Sequence, residues 1–180
     1  MPMSETKVIY FEPEVYLSAE QIKKRVAELA ELINEHYGDQ EITAICTLKG
    51  SIVFFKDLLA SLKMPVICEF FGLSSYGAQT QSTGEVKVTL DLSDSLLGKH
   101  VLIVEDIVDT GLTLSYTIDY LKLKRPASLK TISLLFKPEA LKAMALTLDY
   151  VGFEIPNKFV VGYGLDYAEK FRGLPYIGVL

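Results

Sequence analysis

Tryptophan is absent from this chain, and cysteine and histidine are rare, with two of each in 180 residues. A disulfide framework therefore has nothing to build on. Cys46 and Cys68 lie in separate apolar, strand-like runs with no CxxC neighbour and no clustered histidine, so both are expected as buried free thiols rather than zinc ligands. His36 falls at the end of a helical pattern, where an imidazolium complements the helix dipole, and His100 just precedes a strand; neither is given a catalytic role. An excess of positive charge is missing too. Lysine and arginine total 18 against 23 acidic residues, a net charge of -5, which argues against a general nucleic-acid binder while leaving local basic sites open. No apolar run approaches the roughly 18 residues of a membrane span, and the opening Met1-Pro2-Met3-Ser4-Glu5 lacks the charged and apolar regions of a leader, so a cytoplasmic protein without a membrane partner is expected. The Walker phosphate-loop pattern is also absent. Gly162 and Gly164 form an isolated GxG with Tyr167 at the third position, so the dinucleotide fingerprint fails.

What is present is a large apolar fraction, 49% of the chain, enough for one well-buried domain spanning 1–180 and too little length for two. The middle of the chain alternates apolar strands with helical patterns, which predicts an α/β fold with a mainly parallel central sheet flanked by helices on both sides. Its core is expected over about 35–150, with a small hood from the chain ends, 1–17 and 150–180, where glycine, proline and aromatic residues crowd together. A short strand is expected at 8–11. Ser18 and Gln21 make a capping-box pattern, and Ile22, Val26, Leu29 and Ile33 recur at helical spacing up to a stop at Gly38. Strands are read at 42–47, 66–73, 85–90 and 129–136, the third returning antiparallel to the second. Helices are read from the loop 48–51 through Leu62, from Leu112 to Leu123, and from Glu139 to Leu146.

One stretch concentrates chemistry. Val101-Leu102-Ile103-Val104 reads as a strand covered on both faces, and Glu105, Asp106 and Asp109 follow at its carboxyl end, where open α/β sheets bind ligands. Asp109-Thr110-Gly111 is turn chemistry leading into a helix whose first amide groups favour an anion. Acidic groups and an anion cradle thus share one loop. Lys49 beside Gly50 at the mouth of another strand-to-helix loop reads either as a phosphate contact or as a surface lysine at a helix start. Lys137 also falls at a strand's carboxyl end, with a surface role as the alternative. The small, polar run 74–84 reads either as a lid or as a plain connection.

Val104-Glu105-Asp106-Ile107-Val108-Asp109-Thr110-Gly111-Leu112-Thr113 resembles the phosphoribosyl pyrophosphate signature of the type I phosphoribosyltransferase family. Leu48-Lys49-Gly50-Ser51, the loop from Ser75-Tyr76 to Thr83-Gly84, and Lys158 to Tyr167 with Phe171-Arg172 extend the resemblance, over about residues 8–180, to the family's 6-oxopurine branch. The resemblance implies an enzyme of purine salvage that transfers a phosphoribosyl group to hypoxanthine or guanine, with Mg2+ as cofactor and a homodimer or homotetramer as its assembly. It implies Asp109 as general base at purine N7. Phosphoribosyl pyrophosphate would be met by Lys49, Gly50, Glu105, Asp106, Thr110, Gly111, Leu112, Thr113 and Arg172. Lys137, Phe159, Val160 and Asp166 would bind the purine, Ser75 and Tyr76 would belong to the lid, and Glu105, Asp106 and Asp166 would serve the metal. Leu112 stands where many relatives carry lysine or asparagine, and Ser51 replaces a common glycine.

Overall fold

The computed structural model describes residues 12–75 and 86–180. The strand expected at 8–11 and most of the 74–84 loop, Tyr76 included, lie outside them. After β1 (Glu14–Leu17), the Ser18 hydroxyl accepts from the Gln21 amide at 3.3 Å and the Gln21 side chain accepts from the Ser18 amide at 2.9 Å, the reciprocal capping box that starts α1 (Ala19–Tyr37). Gly38, at φ 56°, ends it. Ile22, Val26, Leu29 and Ile33 form its buried stripe as their spacing predicts.

The central sheet contains β2 (Ile42–Leu48), β3 (Val66–Ser75), β4 (Val86–Leu90), β5 (His100–Val108), β6 (Ser128–Phe136) and β7 (Tyr150–Glu154), in the spatial order β4-β3-β2-β5-β6-β7. Every pair is parallel except β3 with β4. The two strand faces feed two cores. Ile42, Ala44, Cys46, Leu102 and Val104 pack with α1 and with Phe54, Phe55 and Leu58 of α2 (Ile52–Leu59). Ile45, Val101 and Ile103 pack on the opposite side with Leu114 and Leu121 of α3 (Leu112–Lys122). A fully buried side chain of this size contributes about 1.5–3 kcal/mol, so covering both faces is what holds these strands in the interior. Arg25 of α1 closes the far edge by donating to the Val151 and Gly152 carbonyls of β7 at 2.9 and 2.8 Å.

A second, three-stranded sheet of order β1-β9-β8 brings β9 (Ile177–Val179) and β8 (Val160–Val161) against β1. This is the hood. Tyr163 ties it to α2 by donating its hydroxyl to Asp57 at 2.6 Å.

Five expectations need correction. β5 runs on to Val108 because β6 continues to pair with it as far as Val108↔Phe136, so Glu105 and Asp106 stand on the strand itself. The helix expected over 139–146 is a single turn, Pro138–Ala140, followed by irregular chain. The amides of Lys142 and Ala143, which a helix would use internally, both donate instead to the Thr110 carbonyl at 2.9 and 3.2 Å. Cys68 is exposed, because β4 pairs with β3 only from Gly72 onward and leaves the first half of β3 as an edge. Residues 150–154 belong to the central sheet as β7 rather than to the hood. The helix expected through Leu62 stops at Leu59, beyond which the chain turns toward Pro65.

Candidate active site

From β2 the chain winds outward to β3 and β4, then returns to β5 on β2's other side and winds out to β6 and β7. The reversal point between β2 and β5 is where an open α/β sheet leaves a crevice at its strand ends. Here the crevice has a visible cause. Pairing of β2 with β5 ends at Cys46↔Val104, while β5 and β6 stay paired to Val108, so the two central strands part and a cavity of about 620 Å³ opens between them.

Ten of the expected site residues line this cavity: Lys49, Gly50, Glu105, Asp106, Asp109, Thr110, Gly111, Thr113, Asp166 and Arg172. Alternation along β5 sends Glu105 and Asp106 to opposite sides of the strand. Glu105 lies toward the α3 side, 8% exposed, with Thr47 at 2.7 Å. Burial first, and the neighbouring Asp106 charge second, push the Glu105 carboxyl up to about 8. Burial likewise pushes Asp106 up to about 6, against the opposing pull of the Ile107 amide, which donates to it at 2.9 Å, and of Arg172. The close fit around Asp106 explains Gly50: a Cβ there would stand 1.7 Å from the Asp106 carboxylate. Gly164 brings the hood equally near, since its own Cβ would lie 2.0 Å from the Gly50 carbonyl.

The turn 109–111 and the start of α3 form the other wall. Gly111 has φ 77°, a region glycine enters freely, and a Cβ there would press on Leu141 and Leu146 at 2.7 and 2.8 Å. Thus the irregular segment after β6 is the floor under the turn. The first amides of α3 have no partner within the helix, and Thr113 and Leu114 of this turn line the cavity. Leu112 is 55% exposed and does not line the cavity.

Lys137 reaches the site through Asp109. Its side chain is only 7% exposed, and its ammonium donates to the Asp109 carboxylate at 2.8 Å, while its backbone amide donates to the Val108 carbonyl at 2.9 Å. Phe159 and Val160 are not brought into the cavity. Val160 is buried in β8. Phe159 is half-exposed in a second, apolar cavity of about 490 Å³ with Tyr167, Phe171 and Leu180, and meets Tyr167 edge-on at 5.7 Å. The side chain of Ser75 lies outside the described residues.

Two polar cavity residues went unread in the sequence. Glu169 bonds both cations expected for pyrophosphate, Lys49 at 3.2 Å and Arg172 at 3.4 Å, and these cations hold its carboxyl below the usual range. Arg172 also pairs with Asp166 at 2.8 Å and donates to the Gly164 carbonyl at 2.9 Å. Glu169 gets there by a positive φ of 62°, which its residue type does not announce. Thr47, the other, reads in sequence as one more β-branched strand residue.

Residues 14–168 match the phosphoribosyl transferase domain family. The hypoxanthine-guanine phosphoribosyltransferase of Bacillus subtilis (strain 168) is 47% identical over 166 residues, covering 92% of each chain. That of Dictyostelium discoideum is 46% identical over 171 residues, covering 93% of this chain and 94% of its own. Among solved structures, a hypoxanthine-guanine phosphoribosyltransferase from Bacillus anthracis, crystallised with a HEPES molecule in its active site, has a TM-score of 0.89 and 45% identity over 94% of this chain and 99% of that one. The acidic strand end, the turn that opens α3, the fold and these similarities agree, and the chain belongs to the type I phosphoribosyltransferases, a family of pentosyl-transferring enzymes.

Proposed function

We propose that this chain transfers the 5-phosphoribosyl group of phosphoribosyl pyrophosphate to hypoxanthine or guanine, giving IMP or GMP and pyrophosphate. The observation that carries this reading is the Asp109–Lys137 pair, 2.8 Å apart, held against the anion-binding turn. A base and a cation at that separation can address two neighbouring edges of one flat heterocycle.

In this reading the amides at the start of α3, with the hydroxyls of Thr110 and Thr113, hold the substrate's 5′-phosphate. Glu105 and Asp106 hydrogen-bond the ribose hydroxyls, and Lys49 and Arg172 meet pyrophosphate once they release Glu169. Purine N9 attacks the anomeric carbon as its bond to pyrophosphate breaks, with the bonding electrons leaving on the pyrophosphate oxygen. Asp109 takes the proton from N7. Lys137 has three N–H donors, so pairing with Asp109 leaves others for the purine's exocyclic O6. An amino group in that place would leave the ammonium facing a donor, which selects against adenine. Of the three further purine contacts expected, Asp166 lines the cavity, while Phe159 and Val160 lie outside it. Closure of the 74–84 loop over the bound substrates would exclude water.

The residues also fit magnesium. Among the described residues no three acidic, histidine or cysteine side chains converge on one point, but magnesium typically keeps several waters and takes one or two carboxylates together with substrate oxygens. Glu105 and Asp106, successive residues of β5 that leave opposite sides of the strand and both line the cavity, have raised proton affinity, and a nearby cation would relieve the charge of each. Asp166, on the opposite wall, is the third candidate. Bound there, the ion would neutralise charge developing on the departing pyrophosphate. We assign the protein to the cytoplasm as a homo-oligomer on the same family grounds.

The test is product formation from phosphoribosyl pyrophosphate and magnesium with hypoxanthine, guanine, xanthine or adenine in turn. Transfer to hypoxanthine or guanine is expected. Turnover of adenine alone, or of none of the four, would overturn the reading.

A further inference from the structure

The crevice between β2 and β5 is spanned by one hydroxyl. Beyond Cys46↔Val104 the two strands no longer pair, and the Oγ1 of Thr47 sits 2.8 Å from the Val104 carbonyl, in the gap the ladder has vacated. The same oxygen lies 2.7 Å from Oε2 of Glu105. Among the described residues this is the hydrogen bond that the Glu105 side chain makes within the protein. Thr47 is itself fixed from behind: Ser51, fully buried at the start of α2, donates its hydroxyl to the Thr47 carbonyl, and its Oγ is 3.4 Å from that of Thr47. A buried relay, Ser51 to Thr47 to Glu105, therefore joins the α2 entry to the acidic strand end.

We propose that Thr47 is a positioning residue for phosphoribosyl pyrophosphate, its hydroxyl holding the Glu105 carboxyl in the one direction that faces the cavity. The inference rests on the reading of Glu105 as a ribose contact. A glutamate has three side-chain torsions, and nothing in the alternation of β5 selects among its rotamers. A hydroxyl pinned between a backbone carbonyl and that carboxyl does select one, and it does so before substrate arrives, so the ordering cost is not charged to binding. If Thr47 served only to satisfy Val104, it would matter for folding and for no substrate in particular.

The experiment compares parent, Thr47→Val and Thr47→Ser. Calorimetry reads affinity for phosphoribosyl pyrophosphate with magnesium, steady-state assays give separate KM values for it and for hypoxanthine, and melting of the unliganded proteins reads stability. Thr47→Val keeps the shape and removes the hydroxyl; it should weaken phosphoribosyl pyrophosphate about tenfold, the scale of one lost hydrogen bond, with the hypoxanthine KM little changed. Thr47→Ser should restore the affinity. Unchanged affinity in Thr47→Val, a parallel rise of both KM values, or failure of Thr47→Ser to rescue would overturn the assignment. If Thr47→Val does not fold, Thr47→Ala is measured in the parent and in Glu105→Ala. Its effect on affinity should vanish in the second background, and an equal loss in both would overturn the proposal. A parent that binds phosphoribosyl pyrophosphate but transfers it to no oxopurine defeats the functional reading, while calorimetry still decides Thr47.

Discussion

At the scale of single residues, the site separates groups whose work depends on charge from groups whose work depends on shape. Asp109, proposed as the general base, is of the first kind. Asp109→Asn preserves its size and removes its basicity, so kcat should fall by about 10²- to 10⁴-fold, while calorimetric affinity for phosphoribosyl pyrophosphate stays near the parent value; equal turnover would remove Asp109 from the role of base. Lys137→Ala should erode the preference for hypoxanthine and guanine over adenine, read as the ratio of kcat/KM values, and it leaves Asp109 without its 2.8 Å partner. An unchanged ratio would mean that another group reads O6. Glu105 gives a prediction with a definite sign. Its carboxyl rises from 4.5 in an unconstrained chain to about 8 in the fold. A raised carboxyl favours folding while protonated, so its stabilisation is complete below 4.5 and is lost as pH climbs through 8. In chelator, Glu105→Gln, which stays neutral, should melt several degrees above the parent at pH 8, with the gap closing toward pH 5. A gap independent of pH would show that the gain comes from packing rather than from the missing charge.

At the scale of elements, the turn and its floor behave as a unit. Thr110 spends its carbonyl on Lys142 and Ala143, and Gly111 lies against Leu141 and Leu146. Gly111→Ala forces a Cβ into that floor at a φ of 77°. The expected cost is about 1–3 kcal/mol of strain, seen as a lower Tm, with a further loss of phosphoribosyl pyrophosphate affinity because the helix-start amides move off the phosphate. A Tm loss with full affinity would show that the turn holds its shape without its floor. The same pair of segments marks how far sequence reading went. α1 was legible because its cap, stripe and glycine stop all lie within the helix. The 139–146 segment misled because its residues favour a helix locally, and what overrides them is a carbonyl about 30 residues upstream in a different element. Lys137, Asp109 and the strand-end carboxylates could be read from their positions along the chain. Glu169 could not, since it reaches the site through a left-handed backbone in the hood, and Thr47 could not, since its hydroxyl gains meaning only where β2 and β5 part.

At the scale of the whole molecule, a chain of net charge -5 is read as binding a polyanion in a cavity that itself carries Glu105, Asp106, Asp109, Asp166 and Glu169 against Lys49 and Arg172. Side-chain charge alone disfavours that encounter. Glu169 pairs with both cations, so on the proposed reading the turn amides supply partial positive charge, substrate displaces Glu169, and a divalent ion supplies the remaining attraction. Linkage turns this into a measurement. A ligand that binds the folded state at about a hundred times its Kd adds about 2.7 kcal/mol of stability, and for a domain of this length each kcal/mol moves Tm by about 2–4 °C. Phosphoribosyl pyrophosphate with magnesium should therefore raise Tm by about 5–10 °C, and the same concentration in EDTA should leave it close to the unliganded value. Magnesium alone should produce a smaller rise, because Glu105 and Asp106 gain a counter-charge but the substrate oxygens that complete the ion's shell are missing. An equal shift with and without the ion would place the work of binding on the amides and the two cations, and would leave Glu105 and Asp106 with no role in holding metal.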